Sequence, residues 1–162
     1  MHLRGFICLV GPFDEGVVEP GTQMIEIPVD IKEQMIAHAL GEFPNESCGL
    51  LAGSSNGTPG APARAERFVP MKNADASPVS YRLDPSEQLR AFNELDDAGL
   101  ELVAIYHSHT HSDAYPSDTD RRLAFYPDAH YLLLSLQDRD NPVLRGFTIR
   151  EGDVEEQDVT VT

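Results

Sequence analysis

The sequence predicts a single mixed α/β domain of the α+β kind, a mixed β-sheet flanked by about three helices. Three features point there. Apolar stretches of strand length recur from Met24 to Val161. Two segments with helical spacing open on residues that cap helices. The chain has 162 residues, 41% hydrophobic and 24% charged, enough for one buried core and unlike a disordered or membrane-embedded composition.

The elements follow in order. Met24 to Val29 (MIEIPV) alternates apolar and polar residues and reads as a first strand. Asp30 stands three residues before Glu33, a capping-box pattern for a first helix. Ile31, Met35, Ala39 and Leu40 form its apolar stripe, and Gly41 supplies a stop. Residues 48–53 (CGLLAG) are short and apolar, a buried strand. Ser54 to Pro62 (SSNGTPGAP) is a Gly/Pro/Ser loop. Alternation from Ala65 to Met71 gives another strand. Asp84–Pro85–Ser86–Glu87 combines a cap, a first-turn proline and a first-turn carboxylate. Leu89, Phe92 and Leu95 carry that second helix inward, and Gly99 ends it. Leu102 to Tyr106 (LVAIY) is a central strand, and Arg121 to Phe125 continue a short third helix. Tyr131 to Leu136, Val143 to Ile149 and Val154 to Val161 complete about seven strands.

Composition narrows the function. Asp and Glu number 27 against 12 Lys and Arg, a formal charge of −15. Such a surface repels phosphate backbones and anionic bilayers, so nucleic-acid and membrane binding are disfavoured. Lys32 and Lys72 are the only lysines; an acidic, arginine-favouring chain suits a high-GC genome or a high-salt cytoplasm. Two cysteines, Cys8 and Cys48, make neither a disulfide framework nor a four-thiolate zinc site. The apolar run Gly5 to Phe13 is broken by Gly11 and Pro12, too early for a signal peptide. Residues 1–23 read as an N-terminal extension, with Met24 as an alternative start, and 24–162 as the domain. A reduced, cytoplasmic setting is expected.

The chemistry is concentrated in residues 101–120, ELVAIYHSHTHSDAYPSDTD. A buried strand runs straight into His107–Ser108–His109. Residues two apart on a strand share a face, about 7 Å apart, so both imidazoles can reach one metal ion. A turn through Pro116 brings Asp120 back toward them. Two histidines and one carboxylate leave a tetrahedral position for water, the layout of a catalytic zinc site. Each piece also has an ordinary reading: a solvated strand end for His-x-His, and a helix cap for Ser117-x-x-Asp120. Asp118 could take either role. A base is needed for the water proton, and Glu46, just before the 48–53 strand, is the candidate; an unremarkable surface glutamate is the alternative.

PNESCGLLAG followed downstream by HSHTHSDAYPSDTD resembles the JAMM (MPN-plus) metallopeptidases. Their pattern is an upstream Glu, then His-x-His, seven residues, Ser, two residues, Asp. Glu46, His107, His109, Ser117 and Asp120 fill it, and the resemblance covers about Met24 to Thr162. It implies a cytidine-deaminase-like/MPN fold and Zn2+ held by His107, His109 and Asp120. It further implies Glu46 as the proton carrier and Ser117 as a hydrogen-bond donor to the oxyanion. Residues 71–88 and 106–135 resemble the branch that releases cysteine from the C-terminal glycine of a ubiquitin-like sulfur-carrier protein. A Gly-Gly tail of that kind could dock by strand addition. A small-amide metal hydrolase, a non-catalytic MPN scaffold and a DNA-repair relative are the alternatives. The scaffold is disfavoured because no ligand is missing, the last by charge. A homodimer stays open. Cys48 reads as a core residue, His111, Asp113 and Asp118 as loop groups, and His2, His38 and His130 receive no role.

Overall fold

The computed structural model describes residues 24–55 and 61–162. The expected extension 1–23 and most of the Ser54–Pro62 loop lie outside them. Among the described residues, seven strands and three helices occur in the order β1 (Met24–Ile27), α1 (Val29–Glu42), β2 (Cys48–Ser54), β3 (Ala63–Met71), α2 (Pro85–Asp97), β4 (Glu101–His109), α3 (Asp118–Arg122), β5 (His130–Ser135), β6 (Val143–Arg150) and β7 (Asp153–Val161). The expected mixed α/β class is what the chain adopts. No helix of the described residues is long and apolar enough to cross a membrane.

The strands form one sheet in the order β1-β3-β2-β4-β5-β6-β7, closed by parallel pairing of β1 with β7. Each strand therefore has a neighbour on both sides along part of its length. This corrects the simplest picture of strand addition. An incoming tail would find only stretches where a neighbour has ended, such as β3 beyond Arg64, the last residue paired with β1.

The sheet's two faces carry two cores. Alternation sends Leu51, Tyr106, Leu132 and Leu134 toward α1, where Ile31, Met35 and Ala39 meet them. It sends Leu50, Ile105, Leu133 and Phe147 to the other face, where Ala91 of α2 packs. Cys48 belongs to this second core; burial pushes its thiol up to about 12. It is an inert core residue, as its sequence context suggests. Glycine matters most at the tightest backbone approach. A Cβ on Gly53 would sit 1.8 Å from the Arg64 carbonyl oxygen, at a register shift between β2 and β3. Gly53→Ala should cost about 3 kcal/mol, measured by urea unfolding. Gly41→Ala, with nothing within 4 Å of the added carbon, should instead stabilise by about 0.5–1 kcal/mol; equal midpoints for the two variants would contradict the packing described.

Several local expectations are corrected. The Asp30–Glu33 capping box does not form; α1 starts at Val29 with no side-chain cap. Its first amide donates instead to the Thr162 carbonyl at 2.9 Å, a partner from the far end of the chain. Gly41 lies inside α1, which stops at Phe43 because Pro44 forces the preceding residue into an extended conformation. Leu40 is 42% exposed and Leu89 64%, so neither joins a core; Ala91 takes the inward position on α2. His38, which received no role, packs edge-on against Phe68. β4 extends through His109, and α3 ends at Arg122 rather than Phe125. The Asp84 cap forms as expected, its carboxylate accepting from the Ser86 and Glu87 amides. Gly99 ends α2 at φ +67°.

Candidate metal centre

β4 carries both histidines at its C-terminal end on the α2 face of the sheet, and both are buried. β2 runs antiparallel beside it with Cys48 opposite His107. Carrying that register two residues back brings Glu46 beside His109, on the same face. The ladder changes character between them. The Ser108 amide donates to the Ser47 carbonyl at 3.0 Å, but the Ser47 amide donates to the Ser108 hydroxyl at 2.8 Å rather than to a carbonyl. A side chain thus replaces a ladder bond where the chain leaves the sheet toward Glu46. On the opposite face, Ser47 Oγ also meets Tyr106 Oη, which donates to the Met35 carbonyl and ties this junction to α1.

The third donor arrives on α3. Ser117 caps that helix: its hydroxyl accepts from the Asp120 amide at 3.1 Å, and its own amide donates to Asp120 Oδ2 at 2.8 Å. The cap and a metal-facing carboxylate are therefore compatible. The same Oδ2 lies 3.3 Å from His107 Nε2 and 3.1 Å from His109 Nε2, and the two nitrogens are 3.2 Å apart. Three donors at roughly 2.0–2.1 Å around a tetrahedral zinc are about 3.3 Å from one another. The triangle fits such an ion in size, and in chemistry as two imidazoles and one carboxylate. Among the described residues this trio is the one group that gathers three such donors within 4.8 Å.

Electrostatics gives the same account. Burial works to raise the Asp120 carboxyl, but hydrogen bonds with His107, His109 and the Ser117 amide together hold it well below the usual carboxylate range. Burial lowers His107. His109 is raised: burial opposes it, but Asp120 and the Asp113 carbonyl outweigh burial. The converging lone pairs call for one positive charge, met by a proton on His109 or by a metal cation. His109 Nδ1 donates to the Asp113 carbonyl at 2.8 Å, which turns Nε2 inward. His107 Nδ1 has no hydrogen-bond partner among the described residues. Its ring is instead held by Tyr81, stacked at 4.2 Å between centroids and 18° between planes.

Glu46 is 5% exposed, and its Oε2 has no hydrogen-bond partner among the described residues. Burial pushes its carboxyl up to about 7; the His109 charge opposes that and the Asp120 charge adds to it. The structure thus brings His107, His109, Asp120 and Ser117 together, with Glu46 within electrostatic reach. Asp118 is exposed and pairs with Arg121 at 3.8 Å rather than joining the donors. His111 is exposed with its ring against Phe43, and His130 is buried at the start of β5. Sequence reasoning missed Tyr81 and the Asp113 carbonyl. A backbone acceptor has no residue signature, and Tyr81 reaches His107 only through the tertiary fold.

Comparison with known proteins identifies the family. Residues 28–149 match the model of the prokaryotic homologues of the JAB domain. The chain is 46% identical to the CysO-cysteine peptidase of Mycobacterium tuberculosis over 138 residues, 85% of this chain and 91% of that one. It is 36% identical to a desampylase of Haloferax volcanii over 116 residues, 68% of this chain and 80% of the relative. A solution structure from Desulfitobacterium hafniense superposes with a TM-score of 0.78 at 37% identity, covering 86% of this chain and 93% of that one. The family that the motif from Glu46 to Asp120 resembles is the family found: this chain belongs to the prokaryotic homologues of the JAB domain.

Proposed function

We propose that this chain is a cytoplasmic zinc peptidase that hydrolyses the amide bond after the C-terminal glycine of a ubiquitin-like sulfur-carrier protein, releasing cysteine. The observation that carries the reading is the pairing of a zinc-sized donor triangle with a buried Glu46 carboxyl whose Oε2 has no hydrogen-bond partner among the described residues. The identity to a CysO-cysteine peptidase over most of both chains supports the substrate class.

His107, His109 and Asp120 would hold the ion. When bound, zinc supplies a Lewis acid that polarises the scissile carbonyl and makes water acidic near neutral pH. The chain's own groups do the rest. Glu46 takes a proton from water as its oxygen bonds to the carbonyl carbon. As the carbon–nitrogen bond breaks, Glu46 returns that proton to the leaving amine. The Ser117 hydroxyl accepts one bond from the Asp120 amide, so its own proton is free to donate to the developing oxyanion. Such a contact is worth about 3 kcal/mol in comparable hydrolases. No covalent intermediate is needed, which accords with the inert Cys48. One chain supplies all three donors, so a homodimer is not required.

The test is direct. Zinc-loaded protein incubated with a carrier bearing a C-terminal glycyl-cysteine should shorten the carrier by one cysteine residue in its mass spectrum. An intact carrier beside cleavage of a small amide would replace this substrate assignment with a small-molecule one.

A further inference from the structure

Glu46 lies in no regular element, and among the described residues its carboxyl Oε2 has no hydrogen-bond partner to aim it. Its position therefore depends on its backbone, and both polar groups of that backbone go to one loop. The Glu46 amide donates to the Ser77 carbonyl at 2.8 Å. The Glu46 carbonyl accepts from Asn73 Nδ2 at 3.0 Å.

Asn73 is 5% exposed and holds the loop as well. Its Nδ2 also donates to the Ser80 carbonyl at 2.9 Å. Its Oδ1 accepts from the Asp75 amide at 3.0 Å and the Arg82 amide at 3.1 Å. Two donor hydrogens and two acceptor lone pairs are all that a side-chain amide has, and all four are used. A bridge between Asn73 and Leu83 closes the loop at its base. The loop's far side supplies Tyr81, the ring stacked on His107. A carboxylate side chain could accept at this place but not donate, and an aliphatic one could do neither.

We infer that Asn73 is a positioning residue for hydrolysis, fixing the Glu46 carboxyl against the metal centre through its bond to the Glu46 carbonyl and through the loop that holds the Glu46 amide. The inference rests on the proposed role of Glu46. Asn73→Asp keeps the volume and both accepted bonds but loses both donated ones. Asn73→Ala loses all four.

The test uses the zinc-loaded full chain with the carrier–cysteine adduct. Both variants should lose about 100-fold in kcat, the scale of a misplacement near 1 Å. KM and zinc stoichiometry should stay at wild-type values. Gln157→Met, which removes a comparably buried amide on β7, should lower the melting temperature but leave kcat unchanged. A merely structural role for Asn73 would make its variants behave like Gln157→Met, and that result overturns the inference. If both variants fail to fold, the wild-type protein still decides: the Asn73 side-chain amide hydrogens should exchange slowly, and exchange at the rate of an exposed amide overturns the inference. The two readings fail separately. An inactive Glu46→Gln beside fully active Asn73 variants sinks this inference alone. A fully active Glu46→Gln sinks the proposed mechanism.

Discussion

Glu46→Gln should lower turnover by about a thousandfold or more while the protein keeps one zinc per chain. The substitution preserves the shape of the side chain and removes its capacity to carry a proton between water and the leaving amine. Glu46 is not among the three converging donors, so metal content should not change. Folding should not suffer either. The carboxyl is buried with an unpartnered oxygen and a pKa pushed up to about 7 by burial, which is a cost to the native state that a neutral amide avoids in part. Steady-state rates with the carrier–cysteine adduct, beside metal analysis of the same sample, provide the check. Unchanged turnover would remove Glu46 from the mechanism, and lost zinc would make it a ligand.

Asp120→Ala should abolish both zinc retention and activity, and chelation of the wild-type protein should mimic it. Removing the carboxylate leaves two imidazoles, and His109 loses the hydrogen bond that favours its charged form. It also removes half of the capping box, so α3 should fray. Chelation separates the two effects, because the cap survives it. Activity should return with about one equivalent of zinc in the chelated wild type and not in the variant. At a free zinc concentration a thousandfold above the dissociation constant, the metal should add about 4 kcal/mol to stability, visible as a rise in melting temperature. A chelated protein of unchanged melting temperature and full activity would refute the metal assignment.

Much of this site was legible because its signals are local. Asp84–Pro85 and Ser117-x-x-Asp120 work through bonds spanning two or three residues, so their caps form wherever those residues stand together. His107 and His109 share a face because strand side chains alternate. The errors lie where a distant partner decides. Asp30 and Glu33 suggest the start of α1, yet the helix begins at Val29, whose amide is satisfied by Thr162. Nothing near Asn73 announces that Glu46 is its partner, and nothing in β1 or β7 announces that the two close the sheet. Local composition also misplaced Leu40 and Leu89, because apolar character does not tell which side of a helix meets the sheet.

The three donors differ in how firmly they are carried. His107 and His109 belong to the buried central strand, whereas Asp120 belongs to a helix of five residues, none of them buried. Opening such a helix exposes little apolar surface and costs far less than unfolding the sheet. An ion held by these three donors should therefore exchange through fraying at α3 rather than through opening of the sheet. Exchange with labelled metal should accelerate as α3 is weakened, while the global melting temperature without metal scarcely moves.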